Sequence, residues 1–145
     1  MRIIPAQNRI ADCIALRKEI FVAEQGVPVG LEVDAFDEPD SGCTHFLLLE
    51  PDEGGSPIGT FRAYFEDAET VHLQRFCIKK AFRGRGHGRE ALRFIEEYYR
   101  ALGAKRITFG AQCAAIPFYE KCGYTCVSGV FDDAGIPHRR MEKEI

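Results

Sequence analysis

No cysteine in this chain has a partner at C-x-x-C spacing. The six, Cys13, Cys43, Cys77, Cys113, Cys122 and Cys126, follow no regular interval, and several sit inside apolar patterns. That argues against a zinc site or a disulfide framework and for small buried hydrophobes, reduced, in a cytosolic protein. Long apolar runs are missing too. None approaches membrane-spanning length, and Met1-Arg2-Ile3-Ile4-Pro5 lacks the apolar core of a signal peptide, so neither a membrane partner nor export is expected. Basic residues are absent from a whole stretch: between Glu19 and Phe61 there is no Lys or Arg, against the carboxylates Glu19, Glu24, Glu32, Asp34, Asp37, Glu38, Asp40, Glu50, Asp52 and Glu53. Such a stretch is either a solvated loop or a surface that favours a cationic ligand.

The opposite charge is concentrated elsewhere. Lys79 to Arg89 carries five basic residues and no acid, within a chain of net charge −3. So short a patch on an acidic chain is a poor nucleic-acid surface. Its setting, Phe76-Cys77-Ile78-Lys79-Lys80-Ala81-Phe82-Arg83-Gly84-Arg85-Gly86-His87-Gly88-Arg89, runs from a strand end through alternate glycines into a helix. A helix start leaves amide N–H groups free and carries partial positive charge, so the combination suits a phosphate or pyrophosphate. It is not a P-loop, which would end Gly-Lys-Ser/Thr, nor a G-x-G-x-x-G dinucleotide loop, because position 89 is Arg.

Periodicity supplies the frame. The 145 residues suffice for one domain, 1–145, with its own core. Arg2–Ile4 reads as a strand. Asn8 is placed to cap a helix whose apolar face is Ile10, Cys13, Ile14, Ile20 and Phe21. Residues 26–43 show no period. Strands follow at His45–Glu50, Ile58–Phe65 and Thr70–Ile78, the first two separated by a Pro51–Pro57 turn. After the glycine loop, Ala91, Leu92, Ile95, Tyr99 and Leu102 share one helical face, with Glu96 and Arg100 as an i,i+4 pair on the wet side. Arg106–Ala111 is a strand, Pro117 opens a short helix that Gly123 closes, and Tyr124–Val130 and His138–Lys143 finish the chain. The order predicts an α/β fold: a mixed, mostly antiparallel sheet of about seven strands, flanked by helices, with one parallel pair.

Two motifs now coincide. Arg83, Gly86 and Gly88 fit Arg/Gln-x-x-Gly-x-Gly/Ala directly after a strand. Ala115-Ile116-Pro117-Phe118-Tyr119-Glu120-Lys121-Cys122-Gly123-Tyr124 fits Ala-x-x-Phe/Leu-Tyr-x-Lys-x-Gly-Phe. Together with the element order they resemble the GNAT superfamily of acyl-CoA N-acyltransferases over essentially the whole chain. Arg17 to Gln25, Glu32-x-Asp34-x-x-Asp37, His45 and Phe131-x-x-Ala134-Gly135-Ile136-Pro137-His138-x-x-Met141 are similar to its ElaA-type branch.

The resemblance implies direct acetyl transfer from acetyl-CoA to a primary amine, on a cationic small molecule or a peptide, without an acyl-enzyme and without a metal. Phe76, Cys77 and Ile78 would lie along the pantetheine arm, beside Phe118. Arg83, Gly84, Arg85, Gly86, His87, Gly88 and Arg89 would hold the pyrophosphate. Tyr119 would be the general acid on the departing thiolate, since a phenol of pKa about 10 stays protonated at neutral pH. Glu32, Asp34 and His45 are candidates for the base, with Asp37 and Glu24 behind them, and water chains serve some relatives instead. The resemblance leaves a homodimer open. A non-catalytic acyl-CoA binding domain would keep the loop but not need Tyr119, and an Arg/Gly nucleic-acid binder would need neither.

Overall fold

The computed structural model describes residues 1–52 and 54–145, so Glu53, within the anticipated Pro51–Pro57 turn, lies outside the described residues. One sheet organises everything else. Its eight strands are β1 (Arg2–Pro5), β2 (Thr44–Leu49), β3 (Pro57–Phe65), β4 (Thr70–Ile78), β5 (Arg106–Gln112), β6 (Thr125–Cys126), β7 (Phe131–Asp133) and β8 (Ile136–Glu144), in the order β1-β2-β3-β4-β5-β8-β6 with β7 also on β8. All pairings are antiparallel except β4 with β5, which the intervening helix makes parallel. The expected mixed sheet is present, with one strand more than expected.

Alternation along the strands divides the helices between two faces. Phe46 and Leu48 of β2, Val71 and Leu73 of β4, and Ile107, Phe109 and Ala111 of β5 pack with Ala91, Leu92, Ile95 and Tyr99 of α3 (His87–Ala101) and with Tyr119 of α4 (Ile116–Lys121). Leu47 and Leu49, one step out of phase, meet Cys13 and Leu16 of α1 (Ile10–Arg17) on the other face. Each fully buried Leu or Ile here contributes about 1.5–3 kcal/mol. Among the described residues no helix is long and apolar enough to cross a membrane.

Several local expectations are corrected. Asn8 does not cap α1: Arg9 occupies that position and no side chain caps the turn. The helix does not run on regularly to Phe21 but widens after Arg17 into a π-helical turn, Lys18–Glu24. The aperiodic 26–43 stretch contains α2 (Val29–Glu32) and a 3₁₀ turn, Ala35–Asp37, each too short for a period to register. Leu102 is exposed because α3 ends one residue before it. Glu96 is not on the wet side; it is buried, taking a 2.6 Å contact from Lys143 and a 3.3 Å hydrogen bond from Tyr124 in place of the Arg100 pair. The strand expected at Tyr124–Val130 shrinks to β6, and β7 forms just beyond its end. At Ser128 a side-chain hydroxyl, not a backbone carbonyl, accepts the Arg140 N–H at 2.8 Å, which interrupts the ladder.

Candidate active site

The site begins where two strands part. β4 and β5 pair only at Thr70–Arg106, Val71–Ile107 and His72–Thr108, yet β4 continues to Ile78 and β5 to Gln112. On the far side of β4 the register with β3 shifts between Thr60 and Arg62, so that Phe61 faces both Arg75 and Phe76. Arg75 takes φ +55°, a left-handed conformation that costs a non-glycine residue about 1–3 kcal/mol. This bulge bends β4 away from β5. The parted strands open a cleft of about 800 Å³, walled by β4, β5, the glycine loop, α4 and the π-helical turn.

Backbone polarity follows from the ladder. Lys79 donates its N–H to Ile58 O on the β3 side, at 2.8 Å. Alternation therefore turns the amides of Ile78 and Phe76 toward the cleft, where no strand meets them. Cys77, between them, is buried at the cleft wall, and burial pushes its thiol up to about 12.

The glycines each have a separate reason. Gly84 and Gly86 adopt φ +74° and +84°, which side chains disfavour. Gly88 is needed for space: a Cβ there would lie 2.9 Å from Phe118 Cζ. Gly86 precedes α3 directly, so the amides of His87, Gly88 and Arg89 belong to the first turn and lack intrahelical acceptors. His87 Nδ1 is buried without a hydrogen-bond partner among the described residues. Arg89 lines the cleft, while Arg85 stands over the Phe82 ring, 5.4 Å from its centroid.

Arg83 is different. Its guanidinium is held by both oxygens of Glu24, at 2.6 and 2.9 Å, and its Nε donates to Ile78 O at 2.8 Å. Arg83 in turn holds the Glu24 carboxyl below the ordinary range. This pair ties the π-helical turn to the loop, at the lining of the cleft.

Tyr119 lies on the α3 face, its ring 4.6 Å from Phe109 and 5.1 Å from Phe118. It lines the cleft, its hydroxyl bonds to none of the described residues, and burial raises its pKa well above the usual phenol value.

Three members of the acidic stretch, Glu32, Asp34 and Asp37, form neither a solvated loop nor a free anionic surface, while Glu19, Glu38, Asp40 and Asp52 are exposed. Arg17, 1% exposed, donates to Glu32 at 2.8 Å and to Asp37 at 2.6 and 2.9 Å. Arg62, equally buried, donates to Asp34 at 2.7 and 2.8 Å, to Asp37 at 2.9 Å and to Gln74. Arg75 adds a contact of 3.1 Å to Glu32, close enough for an ion pair but without hydrogen-bond geometry. Burial alone would raise Asp37 and Asp34; the hydrogen-bonded Arg17 and Arg62 outweigh it and hold both carboxyls below their ordinary value. Three guanidiniums neutralise three carboxylates.

Of the base candidates, only Glu32 lines the cleft, and it is shared between Arg17 and Arg75. Asp34 and His45 lie outside that lining. His45 is buried with Nε2 2.8 Å from Phe36 O, and desolvation lowers its pKa. Sequence reasoning reads His72 as a strand histidine with a structural hydrogen bond, does not single out Gln74 and Gly110, which line the cleft with it on the face opposite Tyr119, and assigns no role to His138 beside them. The one available signal was the position of His138 in the Phe131–Met141 run.

Comparison with known proteins places this geometry. The acetyltransferase (GNAT) family matches residues 11–124. A Bacillus subtilis protein, YjcF, described as an uncharacterized N-acetyltransferase, is 34% identical over 147 residues, spanning 99% of this chain and 100% of its own. ElaA of Escherichia coli is 28% identical over 133 residues, 91% of this chain and 85% of its own. Its crystal structure superposes with a TM-score of 0.80 at 24% identity, covering 99% of each chain. An aminoglycoside 6'-N-acetyltransferase complexed with coenzyme A shares the fold, with a TM-score of 0.75 at 17% identity over 99% of this chain and 97% of that one. The chain belongs to the acetyltransferase (GNAT) family, an N-acetyltransferase with ElaA among its relatives.

Proposed function

We propose that this protein transfers an acetyl group directly from acetyl-CoA to a primary amine, both substrates being held at once. The observation that carries this reading is the continuous path from the first turn of α3, along the unpaired edge of β4, to Tyr119. The residues fit such a cosubstrate. Free amides at His87, Gly88 and Arg89 suit the pyrophosphate, with Gly84 and Gly86 shaping the turn and Arg85 and Arg89 supplying charge. The cleft-facing amides of Phe76 and Ile78 suit the pantetheine arm as an added strand would, beside Cys77 and Phe118. An N–H there also lies along the edge where the thioester oxygen gains charge. Tyr119 donates the proton that the departing thiolate needs.

The acceptor is a small molecule or a peptide carrying a primary amine. A preference for cations does not draw on the acidic stretch, because Glu32, its one member at the cleft lining, is paired with Arg17 and Arg75. It rests on Asp133, at the cleft lining and exposed. The alternative of a non-catalytic acyl-CoA binding domain gives no reason for a phenol at position 119 without a hydrogen-bond partner.

Calorimetric titration with acetyl-CoA tests the cosubstrate. The wild type should bind with micromolar Kd, and Gly86→Glu, which forces a side chain and a negative charge into a left-handed position, should abolish the heat. Retained binding would remove the loop from the argument. Coenzyme thiol release across a panel of amines then tests transfer. Saturable binding without release to any amine would favour the binding domain.

Gly88→Ala probes the same loop more gently. The added methyl displaces Phe118, whose ring is the movable partner, so acetyl-CoA affinity should fall by about tenfold, equivalent to about 1.4 kcal/mol. Unchanged affinity would mean that Phe118 swings away freely and does not wall the site.

A further inference from the structure

The reading above assigns no group to take the amine's proton: Glu32 is shared between two arginines, and Asp34 and His45 lie outside the cleft lining. We propose that His138 Nε2 is that general base; the assignment rests on the transfer reaction just described. Sheet geometry places it. Phe109, Ala111 and Met141 are buried on the α3 face, so their neighbours Gly110, Gln112, His138 and Arg140 turn to the other. His138 sits opposite Gln112 in the β5–β8 ladder, and its Cδ2 lies 3.9 Å from where a Cβ on Gly110 would be. The glycine leaves room over β5 for the Phe131 ring, whose Cζ lies 3.4 Å from the same point, and for the imidazole beside it.

The tautomer is fixed by a neighbour that can only accept. His138 Nδ1 lies 2.7 Å from Ile136 O, so Nδ1 carries the ring proton and Nε2 keeps its lone pair. Stacking on Phe131, at 5.9 Å between centroids and 25° between planes, holds the ring in place. The residue is 8% exposed and lines the cleft, and its Nε2 is not among the sealed, unpartnered atoms. His72 shares the face but not this geometry. Its Nδ1 is engaged by two side chains, Tyr64 Oη at 3.2 Å and the Glu66 carboxylate at 3.4 Å, and its ring stacks on Tyr64.

The result is an acid and a base on opposite faces of the sheet, with the strand gap between them. Tyr119 stands on the α3 face and His138 on the α1 face. As the N–C bond forms and the C–S bond breaks, the amine's proton passes to His138 Nε2 and Tyr119 gives its proton to sulfur. His138 then releases a proton to solvent and Tyr119 regains one, so the cycle closes with no other reactant.

Two measurements test this. In protein labelled with ¹⁵N-histidine, long-range ¹H–¹⁵N correlation should find neutral His138 protonated at Nδ1 and bare at Nε2; the opposite tautomer overturns the assignment without any assay of activity. In kinetics with an amine that the wild type acetylates, His138→Ala should lower kcat by about 100-fold while leaving the acetyl-CoA Kd within about twofold, and added imidazole should restore part of the rate. His138→Asn, which keeps a planar polar side chain, should be equally slow, and serves if the alanine variant folds poorly. A kcat near the wild-type value, or a loss that follows coenzyme affinity and resists imidazole, overturns the proposal alone. A wild type that binds acetyl-CoA and acetylates no amine overturns it together with the transfer reading.

Discussion

Tyr119→Phe should lower kcat for acetyl transfer by about 100-fold, with acetyl-CoA affinity unchanged, the magnitude expected when a positioned general acid is removed. The substitution deletes one oxygen and keeps the ring that packs on Phe109 and Phe118. Burial raises the Tyr119 pKa, which at first sight makes it a poor acid. The same desolvation acts on any thiol leaving in that cleft. A thiolate released into a desolvated cleft is made more basic by the same cause, which favours the proton transfer. Burial also keeps Tyr119 protonated throughout the neutral range, so its ionisation should impose no alkaline loss of kcat there. Steady-state rates paired with calorimetry decide the matter. A kcat unaffected by the phenylalanine would remove Tyr119 from the chemistry.

The second large effect concerns stability. Arg17→Met should destabilise the fold by about 3–5 kcal/mol, because two buried carboxylates, Glu32 and Asp37, lose their shorter-bonded partner at once and keep only Arg75 and Arg62 respectively. For a chain of this size the melting temperature should fall on the order of 10 °C. The exposed pair Arg9–Asp12, 2.7 Å apart, is the contrast: its loss should cost under about 1 kcal/mol. Acid should reproduce part of the Arg17 effect. Asp37 has a depressed folded pKa, so its stabilisation is complete above the unfolded value of about 3.9 and is lost as pH falls toward the folded one. Thermal or urea unfolding of the variant, with the wild type followed from pH 7 to low pH, measures both. A loss below about 1 kcal/mol for Arg17→Met would mean that water solvates the cluster and that it carries little of the fold.

These two sites differ in how far the sequence discloses them. Tyr119 sits in a ten-residue motif on one short helix, and the glycine loop is contiguous, so local spacing carries both. The arginine cluster is not local. Arg17 reaches Asp37 across 20 residues and Arg62 reaches Asp34 across 28, through a chain path whose turns contain too few residues to show a period. Read along the sequence, the acids look unpaired because their partners stand just outside the stretch that lacks them. Arg83 shows the same limit from the other side. Its place in the motif is visible, but its bond to Glu24, 59 residues earlier, is not. His138 was quoted as part of a resemblance without a role, because only the register of β8 on β5 decides which face it occupies. The helix and strand order, by contrast, follows from periodicities that each element carries within itself, and it is what the fold displays.

The short junction of β4 with β5 has a mechanical consequence. Among the described residues three rungs pair β4 with β5; otherwise the β1–β4 and β5–β8 plates are joined by packing on α3 and by a few side-chain and turn contacts such as Arg140–Glu66 and Gln112–Gln25. A pantetheine arm lying along β4 would add rungs where the protein has none. The cosubstrate would then act as a removable splint, so that stiffness across the middle of the molecule rises when acetyl-CoA enters and falls when the spent coenzyme departs.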